Sequence, residues 1–200
     1  MITIGLTGSI GMGKSTVTQM FADEGAAVWN ADEAVHWLYS KGGVGASAIG
    51  DQFPAAITDG AVDRVILSSL VLDDPTAFAN LEAIIHPLVS TDRARFLDNV
   101  ARDGVDVAVL DIPLLFEKGS EKFFDAIVVV SAAAGVQRGR VMARPGMTEK
   151  KLRSILMKQT PDAEKRRRAD YVIDTGVSLD ETRAQVRAAL AAIKARFGVS

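Results

Sequence analysis

The sequence contains no cysteine and only two histidines among its 200 residues. The absence of cysteine excludes disulfides, thiolate metal sites and cysteine nucleophiles. The two histidines, His36 and His86, have no partners at metal-ligand spacing, so a zinc site is excluded as well. The chain has no apolar run of about 18 residues that could span a membrane, and its N-terminus lacks the basic start of a signal peptide. We therefore expect a cytoplasmic chain without membrane association.

The composition is that of a globular protein with an uneven distribution of charge. Hydrophobic residues make up 48% of the chain, which excludes a disordered chain, and 200 residues predict one domain with an insertion. The net charge is −2, but residues 138–168 hold 11 basic and 3 acidic residues, so this segment carries +8 and the rest −10. Such a basic segment indicates a site for one anionic ligand rather than general affinity for nucleic acid, although a solvated helix face would have the same charge. No feature predicts an obligate protein partner.

Short β-branched runs alternate with helical patterns along the chain. The runs are nearly continuous in apolar residues, which is typical of strands buried on both faces of a parallel sheet. The five predicted strands are Ile2 to Thr7, Ala26 to Trp29, Val105 to Leu110, Ala126 to Val130 and Tyr171 to Ile173. The predicted helices are Lys14 to Asp23, Ala133 to Ala143 and Leu179 to Arg196. This alternation predicts an α/β fold with helices on both sides of the sheet.

Residues 32–103 interrupt the alternation with mostly helical patterns. Asp74 and Pro75 are typical of an N-cap followed by proline at the first helical position. His86 and Pro87 are predicted to end that helix, with Pro87 starting the next. We predict a nucleotide-binding core at 1–31, 104–137 and 169–200, and an inserted helical domain at 32–103 that binds a second substrate.

The strongest motif follows the first predicted strand. Residues 8–15 read GSIGMGKS, which satisfies G-x-x-x-x-G-K-[ST] in the strand–loop–helix context of a phosphate-binding loop. The glycines let backbone N–H groups turn toward phosphate oxygens, and the helix beginning near Gly13 adds its positive dipole end. Lys14 is placed to reach the β- and γ-phosphates, and the Ser15 hydroxyl to ligate Mg²⁺. The motif predicts that the chain binds a nucleoside triphosphate.

Two acidic residues follow predicted strands at the same edge of the sheet. Asp111 ends the third strand, where it could hold magnesium directly or through water, or simply terminate the strand. Asp32 follows the second strand, where a carboxylate could accept the proton of an attacking hydroxyl. Asp32 could equally be the N-cap of a helix from Glu33 to Tyr39, and the two roles are compatible.

Arginines follow the fourth strand, in residues 138–168, which we call the lid region. Arg140 and Arg144 are four residues apart and share a helix face. The planar guanidinium suits phosphoryl oxygens, and closure over a triphosphate would exclude water, the competing acceptor. The run from Lys165 to Arg168 is predicted to be a solvated helix end.

Taken together, these segments resemble the dephospho-CoA kinase family, whose members phosphorylate the ribose 3′-hydroxyl of dephospho-CoA in the last step of coenzyme A synthesis. The matching segments are GLTGSIGMGKST at 5–16, NAD at 30–32, DR at 63–64, LEAIIHPLV at 81–89, DIPLLFE at 111–117, R-x-x-x-R at 140–144, the region of Gln159, and ADYVID at 169–174. They cover nearly the whole chain. The chain departs from the family pattern at Thr175, where Asn is common, and at Leu72, where Phe is common.

The resemblance implies a fold and a set of ligands. The fold would be that of P-loop NTP hydrolases and nucleoside-monophosphate kinases: a five-stranded parallel sheet flanked by helices, with a helical substrate insertion and a basic lid. ATP and Mg²⁺ would be used, and dephospho-CoA would be the small-molecule substrate.

The resemblance also implies a role for each matched position. The catalytic residues would be Asp32 as general base, Lys14, Arg140 and Arg144. The ATP-binding residues would be Gly8, Gly11, Met12, Gly13, Lys14, Ser15, Thr16 and Arg140. Ser15 and Asp111 would hold the metal. The substrate-binding residues would be Asp32, Arg64, His86, Pro87, Pro113, Leu114, Leu115 and Glu117.

Overall fold

A computed structural model describes residues 1–199 of the chain. Within these residues the strands are β1 (Ile2–Thr7), β2 (Ala27–Asn30), β3 (Ile57–Thr58), β4 (Ala61–Val62), β5 (Val107–Asp111), β6 (Ala126–Ser131) and β7 (Tyr171–Asp174). The helices are α1 (Lys14–Asp23), α2 (Ala31–Tyr39), α3 (Val44–Gln52), α4 (Arg64–Val71), α5 (Pro75–Arg102), α6 (Ala134–Met142), α7 (Glu149–Met157), α8 (Asp162–Arg168) and α9 (Leu179–Arg196). Short 3₁₀ turns occupy Pro54–Ala56 and Glu121–Phe123.

Five strands form one parallel sheet in the order β2-β5-β1-β6-β7. The central strand β1 pairs in parallel with both neighbours, so that Ile4 lies opposite Val109 of β5 and Ala126 of β6. Every residue of β5 and β6 is buried, which is the expected result when helices cover both faces. The predicted five-stranded parallel sheet is therefore confirmed, and each strand begins and ends within two residues of its predicted position.

The chain divides into two compact units, and the first consists of Met1–Trp29 together with the chain from Val100 onward. On one face of its sheet the buried residues include Ile4 and Leu6 of β1, Val17 and Phe21 of α1, Val128 of β6 and Ile193 of α9. On the other face a second cluster contains Leu115, Phe116, Ile127 and Val129. The side chains of β6 alternate between these two clusters, as the strand period requires. Burial of each large side chain stabilises this unit by roughly 1.5–3 kcal/mol.

The second unit, Asn30–Asn99, is mostly helical and has its own core. Ile49, Leu67, Val71 and Ile85 are buried there, one or more from each of α3, α4 and α5. The unit also contains the β3–β4 hairpin, which the sequence analysis missed. The turn residues Asp59 and Gly60 have φ angles of +51° and +80°, the positive values that favour Asp-Gly in a tight hairpin.

Pro87 lies inside helix α5, so the prediction that the helix ends at His86 and Pro87 was wrong. A proline in a helix removes one backbone hydrogen bond and costs about 3 kcal/mol. Residues on both sides of it, Ile84 and Ile85 before and Leu88 and Val89 after, pack against the core of the second unit. The helix continues because its buried face extends across the proline. Within residues 1–199, none of the helices has the length and apolar character needed to cross a membrane.

Candidate active site

The phosphate-binding loop, residues 8–13, joins the end of β1 to the start of α1. A Cβ atom on Gly8 would lie 2.7 Å from the carbonyl oxygen of Val130, so only glycine fits beside β6. Gly13 is the N-cap of α1 and has a φ angle of +82°, which strongly favours glycine. Within the described chain no side chain caps α1, which leaves its N-terminus open to an anion. Of the N–H groups in the first turn, that of Thr16 already donates to the Gly13 carbonyl over 3.1 Å.

The cation at the end of this loop is paired with a buried carboxylate. The ammonium of Lys14 contacts Oδ1 of Asp111, and the Thr18 hydroxyl donates to Oδ2 over 2.9 Å. Asp111 is completely buried at the end of β5, where it lies opposite Leu6 of β1. A buried carboxylate requires such partners because its desolvation is costly. The structure therefore brings Lys14 and Asp111 together, as the position of Asp111 at a strand end predicts.

Two glutamines hold the tip of the loop through Ile10. The Gln137 side chain of α6 donates to the Ile10 carbonyl over 2.8 Å. The Ile10 N–H donates in turn to Oε1 of Gln159, over 3.2 Å. The N–H and the carbonyl of Ile10 are thus both hydrogen-bonded, one to the lid region and the other to the helix that leads into it. These two contacts hold the backbone of Ile10 in place.

A cavity of about 450 Å³ opens beside the loop in the first unit. Its walls include Gly13 from the loop, Thr16 from α1, Arg140 and Arg144 from the end of α6 and the turn after it, and Thr175 after β7. The side chains of Ser15 and Thr16 are exposed at the start of α1. The cavity therefore combines helix N–H groups, hydroxyls and two guanidinium groups, which is the chemistry that a nucleotide with several phosphates requires.

Arg140 is held at this cavity by Thr175. Its Nη1 donates to the Thr175 hydroxyl over 2.9 Å, and its Nη2 donates to the Thr175 carbonyl over 2.6 Å. The same hydroxyl donates to the carbonyl of Met12 in the phosphate-binding loop over 2.7 Å. Thr175 is thus a hydrogen-bonded link between the loop and the lid region.

The run Lys165–Arg168 is only partly a solvated helix end. Lys165 is completely buried, with its ammonium 3.0 Å from Oε1 of Glu117, so the prediction was wrong for this residue. Glu117 also accepts a hydrogen bond from the Thr160 N–H over 2.7 Å. The guanidinium of Arg168 lies 4.4 Å above the ring centre of Phe116. Burial raises the pKa of Glu117, but the ion pair with Lys165 and the hydrogen bond from the Thr160 N–H outweigh this effect and lower the pKa below its ordinary value of 4.5.

We expect Glu117→Gln to lower the free energy of unfolding by about 3–5 kcal/mol at neutral pH, because it leaves the Lys165 ammonium buried without its counter-charge. Urea unfolding followed by circular dichroism would measure this loss. Since the pKa of Glu117 is lower in the folded state, its contribution is complete above about pH 4.5 and is lost as the pH falls through the folded-state pKa. The Glu117→Gln protein should not show this part of the loss of stability as the pH falls.

The double variant Glu117→Gln, Lys165→Met should recover much of the lost stability, because it removes both buried charges. Glu164→Gln is the matched control, since Glu164 pairs with Arg167 on an exposed part of α8 and should change stability by less than about 1 kcal/mol. If Glu117→Gln and Glu164→Gln lowered the free energy of unfolding equally, a stabilising role for the buried Glu117–Lys165 pair would be contradicted.

The segment 113–117, after β5, divides into exposed and buried side chains. Leu114 is 40% exposed, whereas Leu115 is completely buried in the core beneath β6. The sheet and its neighbours thus cover the side chain of Leu115, and its predicted substrate contact stays a prediction. The Pro113 carbonyl accepts a hydrogen bond from the buried Thr7 hydroxyl over 3.3 Å, which ties the start of the segment to β1. Glu117 is engaged by Lys165 and Thr160, as described above.

Within the second unit, Asn30 rather than Asp32 caps helix α2. The Asn30 side-chain oxygen accepts from the N–H groups of Asp32 and Glu33, over 2.9 and 3.0 Å. The alternative that Asp32 is the N-cap was therefore wrong, because the asparagine two residues earlier already fills that position. Asp32 lies exposed in the first turn of α2, and its carboxylate is not used for capping.

The other predicted substrate residues of this unit lie on α4 and α5. Arg64 begins α4, and its guanidinium lies 5.3 Å from the ring centre of Tyr39. Burial raises the pKa of Tyr39, and the charge of Arg64 opposes this shift. His86 is exposed, with Nε2 3.5 Å from Glu82 one turn earlier on α5.

A family model for dephospho-CoA kinase matches residues 2–181 of the chain. The chain belongs to the dephospho-CoA kinase family. Among curated proteins of this family, the dephospho-CoA kinase of Mesorhizobium japonicum is 54% identical over 198 residues, which cover 99% of this chain and 100% of that protein. Membership of the family makes the chain a P-loop kinase that uses ATP.

Solved structures share the fold of this chain. A crystal structure of a Thermus thermophilus protein is 34% identical in sequence and superposes with a TM-score of 0.80, covering 96% of this chain and 97% of that one. A dephospho-CoA kinase from Campylobacter jejuni is 22% identical with a TM-score of 0.63, covering 96% of both chains. Because the Campylobacter jejuni protein is only 22% identical, its similarity to this chain shows a shared fold and nothing more.

Three polar residues of this dephospho-CoA kinase family member were missed or left without a role by sequence reasoning. Thr18 follows Lys14 by one helical turn, a spacing that could have indicated a shared partner. Gln137 is a buried polar residue on α6, and no sequence signal identifies its contact with Ile10. Thr175 stood out as a departure from the family pattern, but its contacts with Arg140 and Met12 depend on tertiary structure.

Proposed function

We propose that the chain transfers the γ-phosphoryl group of ATP to the 3′-hydroxyl of the ribose of dephospho-CoA, giving coenzyme A and ADP. The proposal rests on the phosphate-binding loop, whose Lys14 forms an ion pair with the buried Asp111, in a chain that belongs to the dephospho-CoA kinase family. The other sequence-derived site residues, which no comparison tests, enter here as parts of the proposal.

The first unit supplies the groups that bind ATP. The N–H groups of the loop and of the first turn of α1 surround the phosphates, and Lys14 reaches the β- and γ-phosphates. Arg140 and Arg144 contribute positive charge at the cavity beside the loop. Because little covalent chemistry is required of the protein in phosphoryl transfer, these charges stabilise the transferring group and hold it in line.

Ser15 and Asp111 are the residues that would hold Mg²⁺. One hydroxyl and one carboxylate are hard oxygen donors, and magnesium typically takes one or two carboxylates while its other positions go to water and phosphate oxygens. This donor set therefore fits the ion. When bound, the ion would neutralise charge on the phosphates.

Asp32 is the proposed general base. It follows β2 by two residues, and ligands of open α/β sheets bind beyond the carboxyl ends of the strands. As the ribose oxygen bonds to the γ-phosphorus, the bond from that phosphorus to the β–γ bridging oxygen breaks and ADP leaves. Asp32 takes the hydroxyl proton. The residues proposed to contact the acceptor are Arg64, His86, Pro87, Pro113, Leu114, Leu115 and Glu117.

The test is ADP release with ATP and Mg²⁺ in the presence of dephospho-CoA, adenosine, AMP, CMP or no acceptor, with coenzyme A formation followed by mass spectrometry. We expect turnover only with dephospho-CoA. Preferential turnover of AMP or CMP would leave a kinase but overturn the proposed acceptor. Equal ADP release in every sample would indicate an ATPase. The cytoplasmic location inferred from the sequence stays a prediction.

A further inference from the structure

We propose that Thr175 is a positioning residue, whose buried hydroxyl couples the phosphate-binding loop to Arg140 and thereby sets the affinity for the nucleotide. The proposal rests on the function proposed above in so far as it takes the cavity beside the loop as the nucleotide site. It assigns to Thr175 a role that acts through Arg140 rather than by contact with the reacting atoms.

The first observation is that the Thr175 hydroxyl both accepts a hydrogen bond and donates one. Its oxygen accepts from Nη1 of Arg140, and its single proton goes to the Met12 carbonyl, which at 2.7 Å is closer than the alternative Ser131 carbonyl at 3.4 Å. Thr175 is only 5% exposed, so water competes poorly for these bonds. A hydroxyl is the side-chain group that can donate and accept at one atom, and valine would lose both bonds.

The second observation is that Arg140 is held at two points. Nη2 donates to the Thr175 carbonyl while Nη1 donates to the hydroxyl, so the guanidinium plane is fixed relative to the segment after β7. The rest of this exposed side chain has several rotatable bonds whose freedom would be lost on binding a phosphate. Fixing the guanidinium before ATP arrives reduces that entropic cost, which is the general benefit of pre-organisation.

The third observation is the close packing of Thr175 on the loop itself. A Cβ built on Gly13 would lie 3.1 Å from the Thr175 hydroxyl oxygen and 3.3 Å from its methyl carbon. Gly13 is the N-cap of α1, the helix whose N-terminus is proposed above to face the phosphates. The same side chain therefore leaves no room for a side chain at the N-cap of α1 and also holds Arg140 in the same cavity.

The experiment compares Thr175→Val, which keeps the volume but removes the hydroxyl, with Thr175→Ser, which keeps the hydroxyl. ADP binding is measured by calorimetry, and KM and kcat are measured separately for ATP and dephospho-CoA. A hydrogen bond to a charged group is typically worth about a tenfold change in an equilibrium constant. We therefore expect Thr175→Val to raise Kd for ADP and KM for ATP about fivefold to tenfold and to lower kcat, because Arg140 also acts on the transferring group, with KM for dephospho-CoA changed less than twofold.

Thr175→Ser should bind ADP as the unaltered protein does. Thr3→Val is the matched control, because Thr3 lies near the other end of β1 and its hydroxyl donates to Asp125 over 2.8 Å; it should leave both ligand affinities unchanged. If Thr175→Ser binds as poorly as Thr175→Val, or if Thr175→Val lowers the melting temperature without changing Kd, the positioning role is overturned.

A second variant keeps the test decisive if Thr175→Val does not fold. Arg140→Lys retains the charge but cannot make both bonds to Thr175, and it should weaken ADP binding by a similar factor. Where Thr175→Val does fold, adding it to Arg140→Lys should raise Kd for ADP by less than a further twofold. The inference would be contradicted if the two substitutions had fully additive effects on the free energy of ADP binding, or if Arg140→Lys bound ADP as tightly as the unaltered protein. Because ADP binding does not depend on the acceptor, these results stand even if dephospho-CoA is not the substrate.

Discussion

Replacement of Asp32 by asparagine is expected to reduce kcat with dephospho-CoA by about 10²–10⁴-fold, the usual contribution of a general base. The amide keeps the size of the carboxylate but cannot accept the proton of the attacking hydroxyl. Helix α2 should be unaffected, because its cap is the Asn30 side chain and the Asp32 N–H that donates to it is retained. Coenzyme A formation at saturating substrate concentrations measures the effect.

The neighbouring carboxylate provides the control for this prediction. Glu33 is exposed in the same turn of α2, and its N–H bonds to the same Asn30 oxygen, so Glu33→Gln makes the same chemical change one residue away. It should retain the activity of the unaltered protein, and both variants should bind ADP equally. An Asp32→Asn protein within about threefold of full activity would show that Asp32 is not the base, since base catalysis contributes far more than this.

The sequence predicted those parts of the structure that depend on local pattern. The continuous apolar runs of β1 and β6 indicated buried parallel strands, and the glycine spacing at 8–13 indicated the phosphate-binding loop. These features are visible because strand burial and positive φ angles restrict the residue types that are allowed. The Asp59-Gly60 turn carries a signal of the same kind, and recognition of it would have predicted the β3–β4 hairpin.

Other features depended on partners that are distant in the sequence. Lys165 sits in a run of four basic residues, a pattern typical of a solvated helix end, yet Glu117 provides a carboxylate that allows its burial. Pro87 ends a helix by its local chemistry, but the core of the second unit continues past it. In each case a tertiary contact outweighs a local preference, and the sequence does not say which residue supplies that contact.

The same limit applies to the candidate site. Lys14 and Asp111 could be placed near one another because the loop follows β1 and the aspartate ends a strand of the same sheet. The engagement of Arg140 by Thr175 could not be predicted, since the residues are 35 positions apart and the bond depends on the path of the chain after β7. The roles of these residues toward ligands stay predictions for the experiments described.

Replacement of Lys14 by methionine is expected to have two separable effects. Loss of the cation at the β- and γ-phosphates should lower kcat/KM for ATP by at least about 10²-fold, as removal of one group that stabilises transition-state charge typically does. The completely buried Asp111 carboxylate also loses the positive charge of Lys14, which should lower the free energy of unfolding by up to about 3 kcal/mol. Steady-state kinetics and urea unfolding measure the two effects independently.

The double variant Lys14→Met, Asp111→Asn separates the loss of stability from the loss of activity, with Asp111→Asn alone as the reference for loss of the proposed Mg²⁺ ligand. Asparagine removes the buried charge and keeps an oxygen that can accept from the Thr18 hydroxyl, so most of the lost stability should return while activity stays low. Lys122→Met, which changes an exposed lysine near Phe123, should alter neither quantity. If the double variant regained activity together with stability, Lys14 would serve only to neutralise Asp111, and its proposed contact with the phosphates would be wrong. If it regained neither, the carboxylate itself would be needed for folding, and the low activity of Lys14→Met could not be assigned to lost phosphate binding.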